Sequence, residues 1–369
     1  MQKHKKSSEE RMKASMIPEI SVIMSVYNGE AYLKEAIESV VNQTFKNWEL
    51  IIINDCSTDS TGDILAGFSK KDERIKVHTN EVNLKLPASL NKAISLCGGK
   101  YIARMDADDI CLPDRLEKQY KFMEENGDVA LSSCRFMTVK NGVYASGGAG
   151  GRCDNNSLRA MLLVVNPILH PGVIAKAEVM KKLKYDTTLT CTEDLELWTR
   201  MVMENYKMQI LPEYLLIYRL HDKQITSTTL ERQHTEVLKI EQKYYAAEFH
   251  EMDKEYQEFY IRGIYFRENA DADKFLEYAK WMKNTACKKF DKDTLNYVLL
   301  EILAEYKRCG VSKKDVLKAM LTFNPLFLAK EIVRRKKAAK NDIEKCMKAA
   351  GNIGLKQTSG TKEFPIFEK

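Results

Sequence analysis

Residues 104 to 109 read Arg-Met-Asp-Ala-Asp-Asp, which crowds three carboxylates, Asp106, Asp108 and Asp109, into one short stretch. They follow an apolar run, Lys100-Tyr-Ile-Ala, that has the character of a buried strand's end. Carboxylates this close raise one another's pKa unless a cation sits among them. A hard divalent ion suits the set, because Mg2+ or Mn2+ takes one or two protein carboxylates and fills its other positions with phosphate oxygens and water. The chemistry implied is activation of a diphosphate. The same residues also have a plain structural reading, as caps for a helix starting near Pro113.

Such a cluster needs rigid elements to present it. Apolar β-branched runs predict strands at Ile20 to Val26, Trp48 to Ile53, Arg74 to His78 and Lys100 to Met105. Helical spacing predicts helices at Ala31 to Asn42, from Asp59 or Ser60 onward, at Pro87 to Cys97 and at Pro113 to Glu125. Ser60-Thr-Gly-Asp63 has the form of a capping box. This alternation argues for an α/β fold, a parallel sheet covered by helices on both faces. Ligands of such sheets collect at the carboxyl ends of the strands. Tyr27-Asn28, Asn54-Asp55 and Asp106 to Asp109 all fall at those ends.

Composition bounds the alternatives. Hydrophobic residues make up 44% and charged residues 30%, as in a globular protein. A net charge of +6 over 369 residues does not by itself argue for nucleic acid. The nine cysteines, at 56, 97, 111, 134, 153, 191, 287, 309 and 346, form no Cys-x-x-Cys pair. That pattern disfavours zinc fingers and a disulfide framework and fits a reducing cytoplasm. Met1 to Met16 has no apolar core and reads as a disordered basic arm rather than a secretory signal. No apolar stretch is long enough to span a bilayer.

Several segments together resemble one family. Residues 20 to 61, ISVIMSVYNGEAYLKEAIESVVNQTFKNWELIIINDCSTDST, are similar to the opening of the family-2 inverting glycosyltransferases with the GT-A fold. KYIARMDADDICLPDRLEKQ (100–119) resembles the family's Asp-x-Asp region. HPGVI (170–174), TEDLELWTR (192–200) and YRLHDKQITS (218–227) resemble its acceptor-side motifs. All five occur in family order over residues 19 to 228. The resemblance implies a Rossmann-like GT-A domain at 19–230, with a nucleotide-sugar half at 19–127 and an acceptor half at 128–230. Around it the sequence suggests an arm at 1–18, an α-helical C-terminal region at 231–345 and a disordered tail at 346–369.

The resemblance also implies roles. Ser25, Val26 and Tyr27 would cradle the nucleoside, Asn28 would hold that turn, and Asp55 would accept from a base N–H. Asn83 lies in a loop that often touches the nucleoside. Asp106, with Ala107, is expected near the ribose or base, Asp108 on the metal and Asp109 in support. Single displacement needs a base opposite the leaving group, and the resemblance assigns it to Asp194 with Glu193 as neighbour. Both also suit a helix start, where the dipole favours acids. His221 is a candidate metal or diphosphate ligand, and His170 would shape the acceptor pocket.

Departures fall near the donor. The family's Asp-Asp-Gly-Ser reads Asn54-Asp55-Cys56-Ser57, Asn83-Leu84-Lys85 lacks a common glycine, and Leu90 precedes Asn91 where an arginine is common.

The expected partners are a nucleoside-diphosphate sugar, with uridine as the default base, and a glycan or lipid-linked glycan acceptor. No nucleic acid is expected. Two other readings stand beside this one: a nucleotide-sugar pyrophosphorylase, and a non-catalytic nucleotide-sugar or nucleic-acid binding module. The first lacks its glycine-rich basic loop after the first strand. The second is disfavoured by retention of every carboxylate and by basic residues that cluster outside the α/β half. Ser146-Gly-Gly-Ala-Gly-Gly151 reads as a mobile surface loop and a candidate lid over a substrate site, since it lacks a P-loop's Lys-Ser/Thr and the spacing of a dinucleotide fingerprint. A helix started by Asn324-Pro325 and ending in Arg334-Arg-Lys-Lys337 suits either packing on the protein or docking on anionic lipid at the inner membrane face.

Overall fold

The computed structural model describes residues 17–146, 153–221 and 230–249, short pieces between 277 and 346, and two strands at 356–361 and 364–368. The basic arm up to residue 16, the glycine-rich stretch 147–151, the Asn324-Pro325 start and the basic run 334–337 lie outside the described residues. So does most of the expected C-terminal helical region. The chain divides into two compact units. The first comprises Met1–Gly147, Leu169–Thr190 and Glu213–Leu220, and the second Gly148–Ile168, Cys191–Pro212 and His221–Lys369.

The first unit is built on β1 (Ile20–Val26), β2 (Trp48–Asn54), β3 (Ile75–Thr79) and β4 (Tyr101–Arg104), all parallel. Helices α1 (Leu33–Val41), α2 (Thr61–Ser69) and α3 (Leu86–Leu96) make the crossovers. Every residue of β2 is buried, the signature of a strand covered on both faces. The apolar runs therefore mark these strands to within about a residue or two, the usual end uncertainty. Short β5 (Ile110–Cys111) then leads to α4 (Arg115–Glu125). The sheet continues through β6 (Val129–Lys140), β7 (Val143–Ser146) and β8 (Ile174–Lys176) in the order β7-β6-β8-β4-β1-β2-β3. Beyond β4 the pairing turns antiparallel, so the whole sheet is mixed. Strand order reverses at β1, with β2 on one side and β4 on the other. Such a reversal opens a crevice at the carboxyl ends of the two strands.

At the opposite end of these strands lies a buried charge network. Glu49 is 4% exposed, and its Oε1 accepts from Ser21 Oγ (2.6 Å) and Gly98 N (2.8 Å). Its Oε2 accepts from Lys76 Nζ at 2.6 Å. Burial pushes the Glu49 carboxyl upward, but the hydrogen bonds from Lys76, Ser21 and Gly98 outweigh it and hold the pKa below the ordinary value. A depressed folded pKa stabilises the fold above the unfolded glutamate's value of about 4.3 and is lost as pH falls below it through the folded value. Glu49→Gln is therefore expected to cost about 1.5–3 kcal/mol near neutrality, the usual range for hydrogen bonds to a charged group. In denaturant unfolding that cost should shrink as pH falls through the lowered folded value, where the parent carboxyl takes up its proton. A cost independent of pH would contradict this account.

In the second unit, α5 (Asn155–Met161) is capped by Asp154, whose Oδ1 accepts from Ser157 N at 3.0 Å. Helix α6 (Ala177–Leu183) belongs to the first unit, after β8. Helix α7 (Glu193–Met203) buries Leu195, Leu197 and Trp198. Strand β9 (Lys207–Arg219) runs from the second unit into the first, where it pairs with β5. Helix α8 (Leu230–Glu248) carries Glu248, on which Arg159 makes a two-toothed ion pair. Near the end of the chain, where the sequence suggests a disordered tail, β10 (Lys356–Thr361) and β11 (Phe364–Glu368) pair antiparallel. Thr358, Thr361, Phe364 and Ile366 are strand-favouring types that a reading by charge and polarity passes over.

Candidate active site

The acidic turn connects β4 to β5, and α4 starts only at Arg115 with Asp114 at its N-cap. The helix-cap reading of Asp106, Asp108 and Asp109 is thereby overturned, because a strand separates them from the helix. Their nearest carboxylate oxygens all lie within 4.8 Å of one another. Asp109 is fully buried; its Oδ1 accepts from Arg219 N at 2.9 Å, while its Oδ2 has no hydrogen-bond partner among the described residues. Burial first, then the charges of Asp106 and Asp108, push its carboxyl well above the ordinary value. An orphaned buried oxygen beside two more carboxylates is a donor set that fits a hard divalent cation.

The cluster is not three equivalent acids. Arg104, 4% exposed, grips Asp106 through both terminal guanidinium nitrogens, with Nη1 at 2.6 Å from Oδ2. Asp106 is thus already charge-balanced by the protein. The sequence reading missed Arg104, although residues two apart on an extended chain share a side, and that spacing was the available signal. Arg104 is held in turn by the fully buried Arg115, whose Nη2 donates to its carbonyl at 2.7 Å. Ala107, in the middle of the turn, is half-buried.

The turn after β1 lies beside it. Ser25 and Val26 end the strand, Tyr27 is exposed, and Asn28 takes the left-handed φ of 52° that asparagine tolerates. Asn28 Oδ1 accepts from Thr58 N (2.8 Å) and its N–H donates to Ser57 Oγ (3.0 Å). Gly29 permits the next step, since a Cβ there would meet Val26 Cγ2 at 2.5 Å and Ala107 Cβ at 3.9 Å. The capping box expected at Ser60 does not form. Its hydroxyl makes no cap, and Asp59 Oδ1 accepts from Thr61 N instead. Ser60 N donates across to Glu30 Oε2 at 3.0 Å, the bond that Asp63 would otherwise receive.

Asp55 is 2% exposed and holds the loop after β3. Its Oδ1 accepts from Asn80 Nδ2 and Leu84 N, both at 2.8 Å, and Oδ2 from Lys85 N at 2.9 Å. A carboxylate has about four acceptor positions, so a further donor can still be met. Asn83 Oδ1 accepts from the same Lys85 N–H at 3.1 Å. Lys85 sits at φ 70°, ψ 166°, a region natural to glycine that costs other residues of order 1–3 kcal/mol. This explains why a glycine is common in that loop, and the converging bonds on Lys85 N–H hold the lysine there. Cys56, also at a position where glycine is common, has φ 63°.

The second unit holds Glu193, Asp194 and His221. Glu193 is buried and Asp194 half-buried in the first turn of α7, where the helix dipole favours acids. Asp194 Oδ2 accepts from Asn166 Nδ2 at 2.8 Å, and Oδ1 from Leu195 N at 2.7 Å. Asn166 is itself fixed by Ile168 N at 3.1 Å. No local pattern in the sequence points to Asn166. His221 is half-buried. In the first unit His170 is buried with Nε2 2.8 Å from Tyr185 Oη. Burial, then the nearby Arg104, holds its pKa well below the ordinary value, so it stays neutral and serves packing.

Comparison with known proteins agrees with this architecture. Residues 21–166 match the model of glycosyl transferase family 2. An uncharacterized glycosyltransferase of Methanocaldococcus jannaschii is 39% identical over 209 residues, 56% of this chain and 72% of that protein. The Escherichia coli O-antigen biosynthesis glycosyltransferase WbnJ is 33% identical over 224 residues, 59% of this chain and 86% of that one. Among solved structures, S. aureus TarS in complex with UDP-GlcNAc superposes with TM-score 0.54 at 17% identity, covering 79% of this chain and 90% of that one. The mannosyltransferase PcManGT of Pyrobaculum calidifontis, in complex with GDP-Man and Mn2+, superposes with TM-score 0.51 at 16% identity, covering 86% and 87%. These two likenesses concern the GT-A fold. Identity of 39% and 33% over 72% and 86% of the lengths of those two glycosyltransferases shows that the chain belongs to glycosyltransferase family 2 and is an enzyme of that family.

Proposed function

We propose that this glycosyltransferase moves a sugar, with inversion, from a uridine diphosphate sugar to a hydroxyl of a glycan or lipid-linked glycan. The observation that carries the reading is the acidic turn, with three carboxylates converging and one buried oxygen left for a cation. Asp108 and Asp109 would hold Mg2+ or Mn2+, with His221 as a further candidate, while Asp106 faces the ribose or base from its seat on Arg104. When bound, the ion supplies charge stabilisation to the departing diphosphate. Ser25, Val26, Tyr27 and Asn28 cradle the nucleoside, and Asp55, Asn83 and Ala107 line it. Asp55 accepts from the base N–H with the position its loop bonds leave open. Asp194, oriented by Asn166 and Leu195 N, takes the proton of the attacking hydroxyl, with Glu193 beside it as an acceptor contact.

The solved relatives hold UDP-GlcNAc in one case and GDP-Man with Mn2+ in another, so nucleotide sugars are the class to test. WbnJ's role in O-antigen biosynthesis supports a glycan acceptor in polysaccharide assembly. A panel of nucleotide sugars assayed for hydrolysis with Mn2+, Mg2+ and chelator tests donor and metal together. Release of nucleoside diphosphate with one sugar nucleotide and one metal is expected; pyrophosphate release from a nucleoside triphosphate would overturn the reading.

We place the reaction in the cytoplasm, at the inner face of the membrane, where a lipid-carried acceptor would be presented. No helix among the described residues is long and apolar enough to cross a membrane. The basic run Arg334 to Lys337 supplies charge for anionic lipid. Truncation before Pro325 should abolish binding to anionic vesicles; unchanged binding would remove this location.

A further inference from the structure

We propose that Arg219 is the positioning residue that sets how tightly the acidic turn holds its divalent cation, an inference that rests on the metal reading above. Arg219 engages both acids on the C-terminal side of the turn. Its N–H donates to Asp109 Oδ1 at 2.9 Å, and its Nε donates to the Asp108 carbonyl at 2.8 Å. The first bond occupies one Asp109 oxygen and leaves Oδ2 as the open one. The second fixes the peptide that carries the Asp108 side chain.

The guanidinium is secured from the other side by α1. Nη2 donates to Glu35 Oε2 at 2.5 Å, and the guanidinium carbon lies 4.5 Å from the centre of the Tyr32 ring. Tyr32 and Glu35 stand at the start of the helix that follows the donor turn. One side chain, 111 residues beyond Asp108 in sequence, therefore ties the donor-side helix to the metal turn. Glu35 also offsets the arginine's charge, so the guanidinium orients the Asp108 peptide without adding an uncompensated positive charge to compete with a cation. Groups that orient metal ligands from behind in this way commonly change metal affinity by about 10–100-fold when removed.

Substituting the side chain leaves the Arg219 N–H in place, which isolates the guanidinium's hold on Asp108. The test is Mn2+ binding to the full chain, alone and with UDP, read from the electron paramagnetic resonance signal of free Mn2+, with thermal unfolding as the folding control. Arg219→Gln should weaken Mn2+ by about tenfold or more. Arg219→Lys should fall between it and the parent, since an ammonium cannot make the planar two-sided contact. Glu35→Gln should weaken binding in the parent background but add nothing on top of Arg219→Gln. Activity of the variants should recover as Mn2+ is raised, which a general packing defect would not produce. Parent-like Mn2+ affinity in folded Arg219→Gln overturns the assignment, and if that variant does not fold, parent-like affinity in Arg219→Lys and Glu35→Gln does so. A parent protein that binds no Mn2+ even with UDP overturns the metal reading along with it.

Discussion

Asp108→Ala is expected to abolish sugar transfer while leaving a folded protein. The side chain is half-buried on a surface turn, so its removal opens no cavity in the core. What is lost is a cation ligand facing the diphosphate. Charge stabilisation of a leaving diphosphate by a bound metal amounts to several kcal/mol, and at 1.36 kcal/mol per decade that corresponds to at least about a thousandfold in kcat/KM. The loss should appear as absent Mn2+ binding as well as absent turnover. Asp106 offers a contrast within the same turn. Its carboxylate is matched by a buried guanidinium, so Asp106→Ala removes an ion-pair partner of buried Arg104 and should lower stability too, which Asp108→Ala should not. Near-parent turnover in Asp108→Ala would sink the metal assignment.

Asp194→Asn should lower kcat by about a hundredfold to ten-thousandfold, the usual contribution of a positioned general base, with donor binding little changed. The asparagine is the same size and can keep a bond to Leu195 N or to Asn166, so α7 has no reason to unravel. It cannot accept a proton. Isothermal titration with the nucleoside diphosphate should therefore match the parent while transfer fails. If the variant turns over like the parent, Asp194 is not the base. If donor binding disappears as well, the substitution has disturbed more than proton transfer.

The two predictions draw on parts of the chain that were legible to different degrees. The central parallel strands β1, β2 and β4 could be placed almost to the residue, because a strand buried on both faces is largely apolar and that is a local property. The capping box at Ser60 had an equally local signal and failed. Glu30, on a neighbouring turn, took the Ser60 N–H and left the box without a function. Helix starts depend on which acceptor arrives first in space, and sequence spacing shows only the acceptors nearby in the chain.

The α/β alternation, the clustering of acids at a strand end and the five motifs that mark the family are all legible along the chain. These depend on periodicity and on residue types within a few positions of each other. The surroundings that distinguish one acid from the next come from the folded chain. Arg104 neutralises Asp106, Asp109 keeps one buried oxygen open, Asp55 is shared with the loop after β3, and Arg219 reaches back to the turn from more than a hundred residues on. The physical reason is that a carboxylate's role is set by the donors and charges within a few ångströms of it. Those neighbours are gathered by chain reversals that no local spacing encodes.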